Sequence, residues 1–220
     1  KVLLDPYGKG VVVPANYSRR AASEPGANTG TAIKSIVVNP DQFDWEGDAP
    51  LHHSWSKTII YELHVGGFTR HPSSGLTADK RGTYSGLIEK IPYLQNLGIT
   101  AIELMPVFQF DEQDAPHGLK NYWGYAPVSF FAPHSGYSQR KDPLGPIDGF
   151  REMVKALHQA GITTHEAAFG LPAWACLVRP MALPPVDDKE THMIVQGEIE
   201  QAAYRYQQEV EAEERVVVGV

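Results

Sequence analysis

Cysteine is almost absent from this chain: Cys176 is the only one in 220 residues. No intrachain disulfide can form, and a thiolate metal cluster is excluded, so a reducing, cytoplasmic setting is expected. Long hydrophobic runs are missing too. The longest nearly uncharged apolar stretch, Ala167 to Val178, has 12 residues and contains Pro172, whereas a spanning helix needs about 20. No basic stretch followed by an apolar core marks a secretory leader. Membrane is therefore not an expected partner. The nine histidines show no HExxH or comparable metal spacing, and no cofactor or metal is expected. Positive charge is sparse: the net charge is −7, and no basic patch favours nucleic acid. The excess is local, because residues 187–214 carry nine acids against Lys189 and Arg205. What the chain does have is a core-forming composition, 42% hydrophobic and 20% charged, which excludes collagen-like, coiled-coil and disordered classes. It opens on Lys1 rather than Met and reads as a fragment or a processed product.

Residues 1–58 are rich in turns, such as Asp5-Pro6-Tyr7-Gly8 and Glu24-Pro25-Gly26. Val11–Val13 and Ile36–Val38 are short enough to be edge strands. Ile59–Val65 is a strand candidate. Leu87, Ile88, Ile91, Leu94 and Leu97 then recur at helical spacing over 83–98. Gly98 is placed to end that helix, and Pro92 to kink or shorten it. Thr100–Val107 is a second buried strand. Phe108–Pro146 reads as a long loop, and such loops are commonly functional or disordered. Ile147, Phe150, Met153, Val154 and Leu157 mark a further helix, with Asp148 as its N-cap and Gly161 as its end. This strand–helix alternation predicts an α/β fold with parallel strands. A third apolar strand should follow Gly161, but Thr163-Thr164-His165-Glu166 stands there. A helix over 198–214 and a strand over 215–220 are expected in the tail.

Several blocks resemble the glycogen-debranching and isoamylase branch of the alpha-amylase superfamily, glycoside hydrolase family thirteen. They are Lys1–Tyr7, Phe43–Asp48, Ile60–Val65 with Gly67-Phe68-Thr69, Ile91–Leu94, Gly98–Thr100, Glu103–Val107, Asn121–Tyr125 and Phe130–Pro133. The resemblance covers residues 1–162. It implies a partial (β/α)₈ TIM barrel, the first two β/α units over 59–162, preceded over 1–58 by a β-rich linker from a lost N-terminal β-domain. Residues 163–220 read as an unrelated tail. From about 193, Glu198-Ile199, Ala202–Gln207, Glu209–Glu211 and Glu214–Val220 resemble a segment of the methylmalonyl-CoA mutase large chain. That mutase's cobalamin-ligating Asp-x-His-x-x-Gly motif is absent from the sequence. The chain thus reads as a truncated chimera.

The resemblance implies a parent glycosidase acting on α-1,6 branches of glycogen- or starch-type glucans. Such hydrolysis needs two carboxylates flanking the scissile bond. In the resembled family these lie at the ends of later barrel strands, and the Asp-x-x-x-Asn-His signature expected after Gly161-Ile162 is missing. No catalytic residue is assigned, and whether this chain is itself an enzyme is left open. Glu62 and Glu103 are expected to be structural. Asp111, Glu112 and Asp114 are expected in a solvated loop, and His52, His53, His117 and His134 at the surface or in loops. The substrate-binding candidates are Tyr125, Tyr122 and Trp123, because aromatic faces stack on sugar rings and this loop should lie at the barrel's C-terminal face. The resemblance implies that Tyr125 stacks under the glucosyl unit at the cleavage site. The competing expectation is an aromatic loop core with Phe130 and Phe131. The partners expected are thus an α-glucan, bound weakly, and further copies of the chain through open sheet edges. The alternatives are a non-catalytic glucan-binding or inert fusion product and a mutase-derived isomerase fragment.

Overall fold

A computed structural model describes residues 1–163. The mutase-like segment and the helix and strand expected over 198–220 lie outside the described residues. The fold is organised by two parallel strands, β3 (Ile60–Leu63) and β4 (Ala101–Leu104), paired Ile60 to Ala101 through Leu63 to Leu104. Earlier in the chain come β1 (Val11–Val12), α1 (Arg19–Ser23) and β2 (Lys34–Ser35). Between β3 and β4 lie the short α2 (Val65–Phe68), then α3 (Tyr84–Glu89) and α4 (Ile91–Asn96). One helix was expected over 83–98. Pro92 falls in the first turn of α4, where its missing N–H costs nothing, and the chain breaks at Lys90 to place it there. Gly98 follows in the left-handed region, at φ +80°, as a terminating glycine does.

Side chains alternate across β3 and β4. Leu63, Ile102 and Leu104 are buried and pack with Leu87, Leu94, Met153 and Leu157 from the helices. Ile60, Glu62 and Glu103 are exposed on the opposite face, the face that a closed (β/α)₈ barrel turns inward.

Four expectations need correction. The stretch over 108–146 is not simply a loop. It holds β5 (Phe108–Phe110) and β6 (Pro127–Pro133), an antiparallel pair with register shifts, and a 3-10 turn at Ser135–Tyr137. β5 is only three residues long, and β6 runs Pro-Val-Ser-Phe-Phe-Ala-Pro without strict alternation, so neither offers a period-2 run long enough to read as a strand. The next helix, α5 (Gly145–Gln159), begins before Asp148, with Leu144 as a cap that makes no side-chain hydrogen bond. Pro146 sets the first turn and Asp148 lies inside it, where a carboxylate suits the helix dipole. The second edge strand is Lys34–Ser35, paired with β1, whereas Val37 is 99% exposed. Finally, a third parallel strand position does begin. Ile162 is buried, Thr163 bridges to Ala101, and the Ile102 and Thr163 amides donate to Thr163 and Thr100 carbonyls.

The segment before β3 is pinned to this unit. His158 Nδ1 of α5 meets Asp48 at 2.8 Å, and Lys155 pairs with Glu46 at 2.9 Å. His53 Nε2 reaches the Gly161 carbonyl at 2.9 Å.

Candidate aromatic site at the strand ends

The site begins where β3 ends. His64 follows Leu63 directly and caps α2: its Nδ1 accepts the Gly67 N–H at 2.9 Å. The ring is buried. Its Nε2 lies 2.9 Å from the Tyr122 carbonyl and 3.1 Å from the Tyr137 hydroxyl. The Tyr122 ring stacks on it, centroids 4.3 Å apart and planes 15° apart, and Trp123 meets it edge-on at 5.7 Å. Tyr137 meets it edge-on from another side at 5.7 Å. The approach is close at Gly67, where a Cβ would stand 2.6 Å from the Tyr122 hydroxyl oxygen and that ring would have to shift.

The loop carrying these aromatics spans from β5 to β6 and is closed at its neck. The Asn121 amide donates to the Glu112 carbonyl at 3.0 Å, and Lys120 pairs with Glu112 at 2.8 Å. Within the loop, Asn121 Oδ1 accepts the Gly124 N–H at 3.1 Å. Gly124 has φ +78°, and a Cβ there would strike Phe110 at 2.6 Å. Only glycine meets both demands. Tyr125 comes next and is 67% exposed; Trp123 and Tyr122 are 54% and 45% exposed.

The three substrate-binding candidates therefore divide. Tyr122 is committed to His64 on one ring face, Trp123 lies beside both, and Tyr125 presents an open ring. The competing expectation of a loop core with Phe130 and Phe131 is not met. Phe130 packs with Phe108, and Phe131 stacks with Tyr7. The ring cluster instead recruits His64, Tyr137 and, below them, Phe110 and His134. His64 and Tyr137 were not singled out from sequence. The available signal for His64 was its place just past a parallel strand, at the end where such folds build sites.

Two acidic and histidine expectations change. Asp111 is 2% exposed, not solvated. It accepts from the Tyr17 hydroxyl at 2.7 Å, Arg19 at 2.9 Å and the Gln113 amide at 2.8 Å. Burial first, and then this carboxylate, push the Tyr17 hydroxyl well above its ordinary range. Arg19 also holds Asp114 at 2.7 Å. His134 is buried at 3% exposure, with Phe110 stacked on it at 3.8 Å. Burial holds its imidazole down at about 4, with Glu112 opposing and His64 adding to the shift. Its Nδ1 has no hydrogen-bond partner among the described residues.

Glu62 and Glu103 are register neighbours on the exposed sheet face. Among the described residues no hydrogen bond or ion pair joins either to the aromatic loop. No group of three or more metal-ligating side chains occurs among the described residues, and no helix there is long and apolar enough to cross a membrane. The chemistry on offer is therefore a set of aromatic faces, anchored from below and open above.

Comparison with known proteins places this geometry in context. The family described as alpha amylase, catalytic domain, matches residues 48–164. A glycogen debranching enzyme of Cronobacter sakazakii is 42% identical over 172 residues, which is 74% of this chain and 26% of that protein. The chain thus spans about a quarter of the length of the curated relatives it matches. Among solved structures, the Group B Streptococcus pullulanase in complex with maltotetraose has a TM-score of 0.58 at 29% identity, covering 74% of this chain and 22% of that one. The type I pullulanase of Bacillus subtilis, complexed with maltose, has a TM-score of 0.55 at 30% identity, covering 73% and 22%.

Proposed function

Because this chain belongs to the alpha-amylase catalytic-domain family, in its isoamylase-type debranching branch, we propose that it supplies the front of a glycogen-debranching barrel and, within it, a glucan-contacting aromatic loop. The observation that carries this reading is the exposure of Trp123, beside the stacked His64 and Tyr122 rings, and of Tyr125, next in chain to the Gly124 turn held against Phe110. An aromatic face in that position stacks on the C–H face of a pyranose, a contact of about 0.5–1.5 kcal/mol beyond the area it buries. The relatives' names support an α-glucan as the ligand, and the pullulanase complexes hold maltotetraose and maltose. One aromatic contact without opposing walls supports only millimolar affinity, about −4 kcal/mol.

The 220-residue chain by itself binds rather than cleaves. Hydrolysis needs an acid and a second carboxylate facing one bond across the substrate. Glu62 and Glu103 are register neighbours on one sheet face, and among the described residues no hydrogen bond or ion pair ties either to the loop that would hold the sugar. Incubation with pullulan or amylopectin is expected to release no reducing ends. Titration with maltoheptaose is expected to shift Tyr125 and Trp123 resonances in the millimolar range. Tyr125→Ala should abolish most of that response, and Tyr93→Ala on α4 should leave it intact. Reducing-end release that is lost in Glu62→Gln or Glu103→Gln overturns the non-catalytic reading; equal behaviour of the two tyrosine variants overturns the stacking role.

A further inference from the structure

We propose that His64 is the positioning residue of the aromatic loop, held as one tautomer and thereby setting where the Tyr125 ring stands. The proposal rests on the reading of that ring as a sugar-stacking face. Its first step is the direction of the hydrogen bonds. A backbone N–H can only donate, so the Gly67 amide, 2.9 Å from Nδ1, fixes Nδ1 as an acceptor without a proton. The neutral ring then carries its proton on Nε2. That proton faces two oxygens, the Tyr122 carbonyl at 2.9 Å and the Tyr137 hydroxyl at 3.1 Å. One imidazole thus joins the start of α2 to the backbone of the loop, and its ring plane carries the Tyr122 side chain in a stack.

The second step is the route from Tyr122 to Tyr125. The Tyr122 carbonyl is fixed by Nε2. Two residues on, the Gly124 amide is fixed by Asn121 Oδ1, and the space where a side chain would begin is taken by Phe110, 2.6 Å from where a Cβ would stand. Tyr125 leaves this turn with its direction already set. The loop from 111 to 126 has its neck tied at Glu112 and Asn121; at the tip, the Nε2 contact is the tie to the parallel-strand unit. A histidine at this position therefore does two separable things: it caps α2 through Nδ1, and it tethers the loop through Nε2.

The two roles are separated by substitution. His64→Asn keeps an oxygen where Nδ1 stands and so keeps the cap, but it loses the donor to Tyr122. His64→Gln keeps a donor that reaches toward Nε2. Three measurements on the full chain test the proposal. Long-range proton–nitrogen correlation of wild-type His64 should show the proton on Nε2; a proton on Nδ1 overturns the proposal and needs no variant. In sugar-free protein, His64→Asn should shift the Trp123 and Tyr125 resonances while the melt stays cooperative, so that the loop moves in a folded chain. His64→Gln should restore part of that shift. Unmoved loop resonances in a folded His64→Asn overturn it. With maltoheptaose, His64→Asn should weaken the response about fivefold to tenfold, the scale of one hydrogen bond. If the wild type itself ignores maltoheptaose while the first two results hold, the sugar-stacking reading fails and the tether stands.

Discussion

His134 shows how a single residue can give the protein a pH-dependent stability. Its imidazole stacks on Phe110 at 3.8 Å and meets Tyr137 edge-on at 4.6 Å, and burial lowers it to about 4. In the unfolded chain the same ring titrates near the ordinary imidazole value, 6.5. Between those values the unfolded state binds a proton that the folded state refuses, so acid favours unfolding. The contribution is complete above about pH 6.5 and is lost as pH falls toward 4. The slope is at most one proton, about 1.4 kcal/mol per pH unit. Thermal melts from pH 4.5 to 7 are expected to show a shallower pH dependence in His134→Leu than in the wild type; parallel curves would refute this. In sequence His134 sits between Pro133 and Ser135 in an apparent loop, and nothing local indicates burial. Only the hydrogen bond from its amide to Val107 and the stacked Phe110 place it inside.

At the scale of elements, the aromatic loop depends on a helix far away in sequence. α1 is five residues long and buries none of them, so propensity and packing alone do little to hold it. Its Ser18 cap accepts the Ala21 amide, and its Arg19 reaches Asp111 and Asp114 just after β5. Gln113 returns the contact, accepting from the Arg19 amide and donating to the Tyr17 carbonyl. Arg19→Ala leaves the buried Asp111 carboxylate with fewer donors and is expected to cost about 1–3 kcal/mol. It should also raise amide exchange at residues 111–114 more than in α5. Denaturant unfolding and hydrogen exchange read the two effects, and a stability loss without local exchange would contradict the latch. The strands and helices that bury one face, β3, β4 and α5, were legible because their apolar spacing repeats. The β5–β6 pair was not, since β5 has three residues and β6 does not alternate, and their irregular register is set only by pairing.

For the molecule as a whole, the open sheet is the main exposure. β3 bonds to β4 on one side, and no strand covers its other edge among the described residues. Ile59 and Ile60 are each 55% exposed along it. Unpaired, apolar edges template further pairing between chains. Concentration-dependent association is therefore expected by light scattering, and Ile60→Lys should reduce it without disturbing the core that Leu63 and Ile102 form on the opposite face. Association unchanged by that substitution would place the contact elsewhere.

Beyond the run Asn121–Tyr125, which the family resemblance singled out, the sequence by itself determined the alternation of parallel strands and helices, the shortening of a helix at Pro92, and the termini at Gly98 and Gly161. These follow from chemistry within a few residues: apolar period, a missing N–H, a left-handed φ. The tertiary structure alone decided that Asp111 is a buried acceptor for Arg19 and Tyr17, that His134 is inside, and that His64 rather than Phe130 or Phe131 supports the loop. Asp111 and His64 depend on partners 58 to 94 positions away, and His134 on Val107 and Phe110, which precede it by 27 and 24 positions. Hydrogen bonds and ring stacks over such separations are set by how the chain returns on itself, and no local pattern encodes that return.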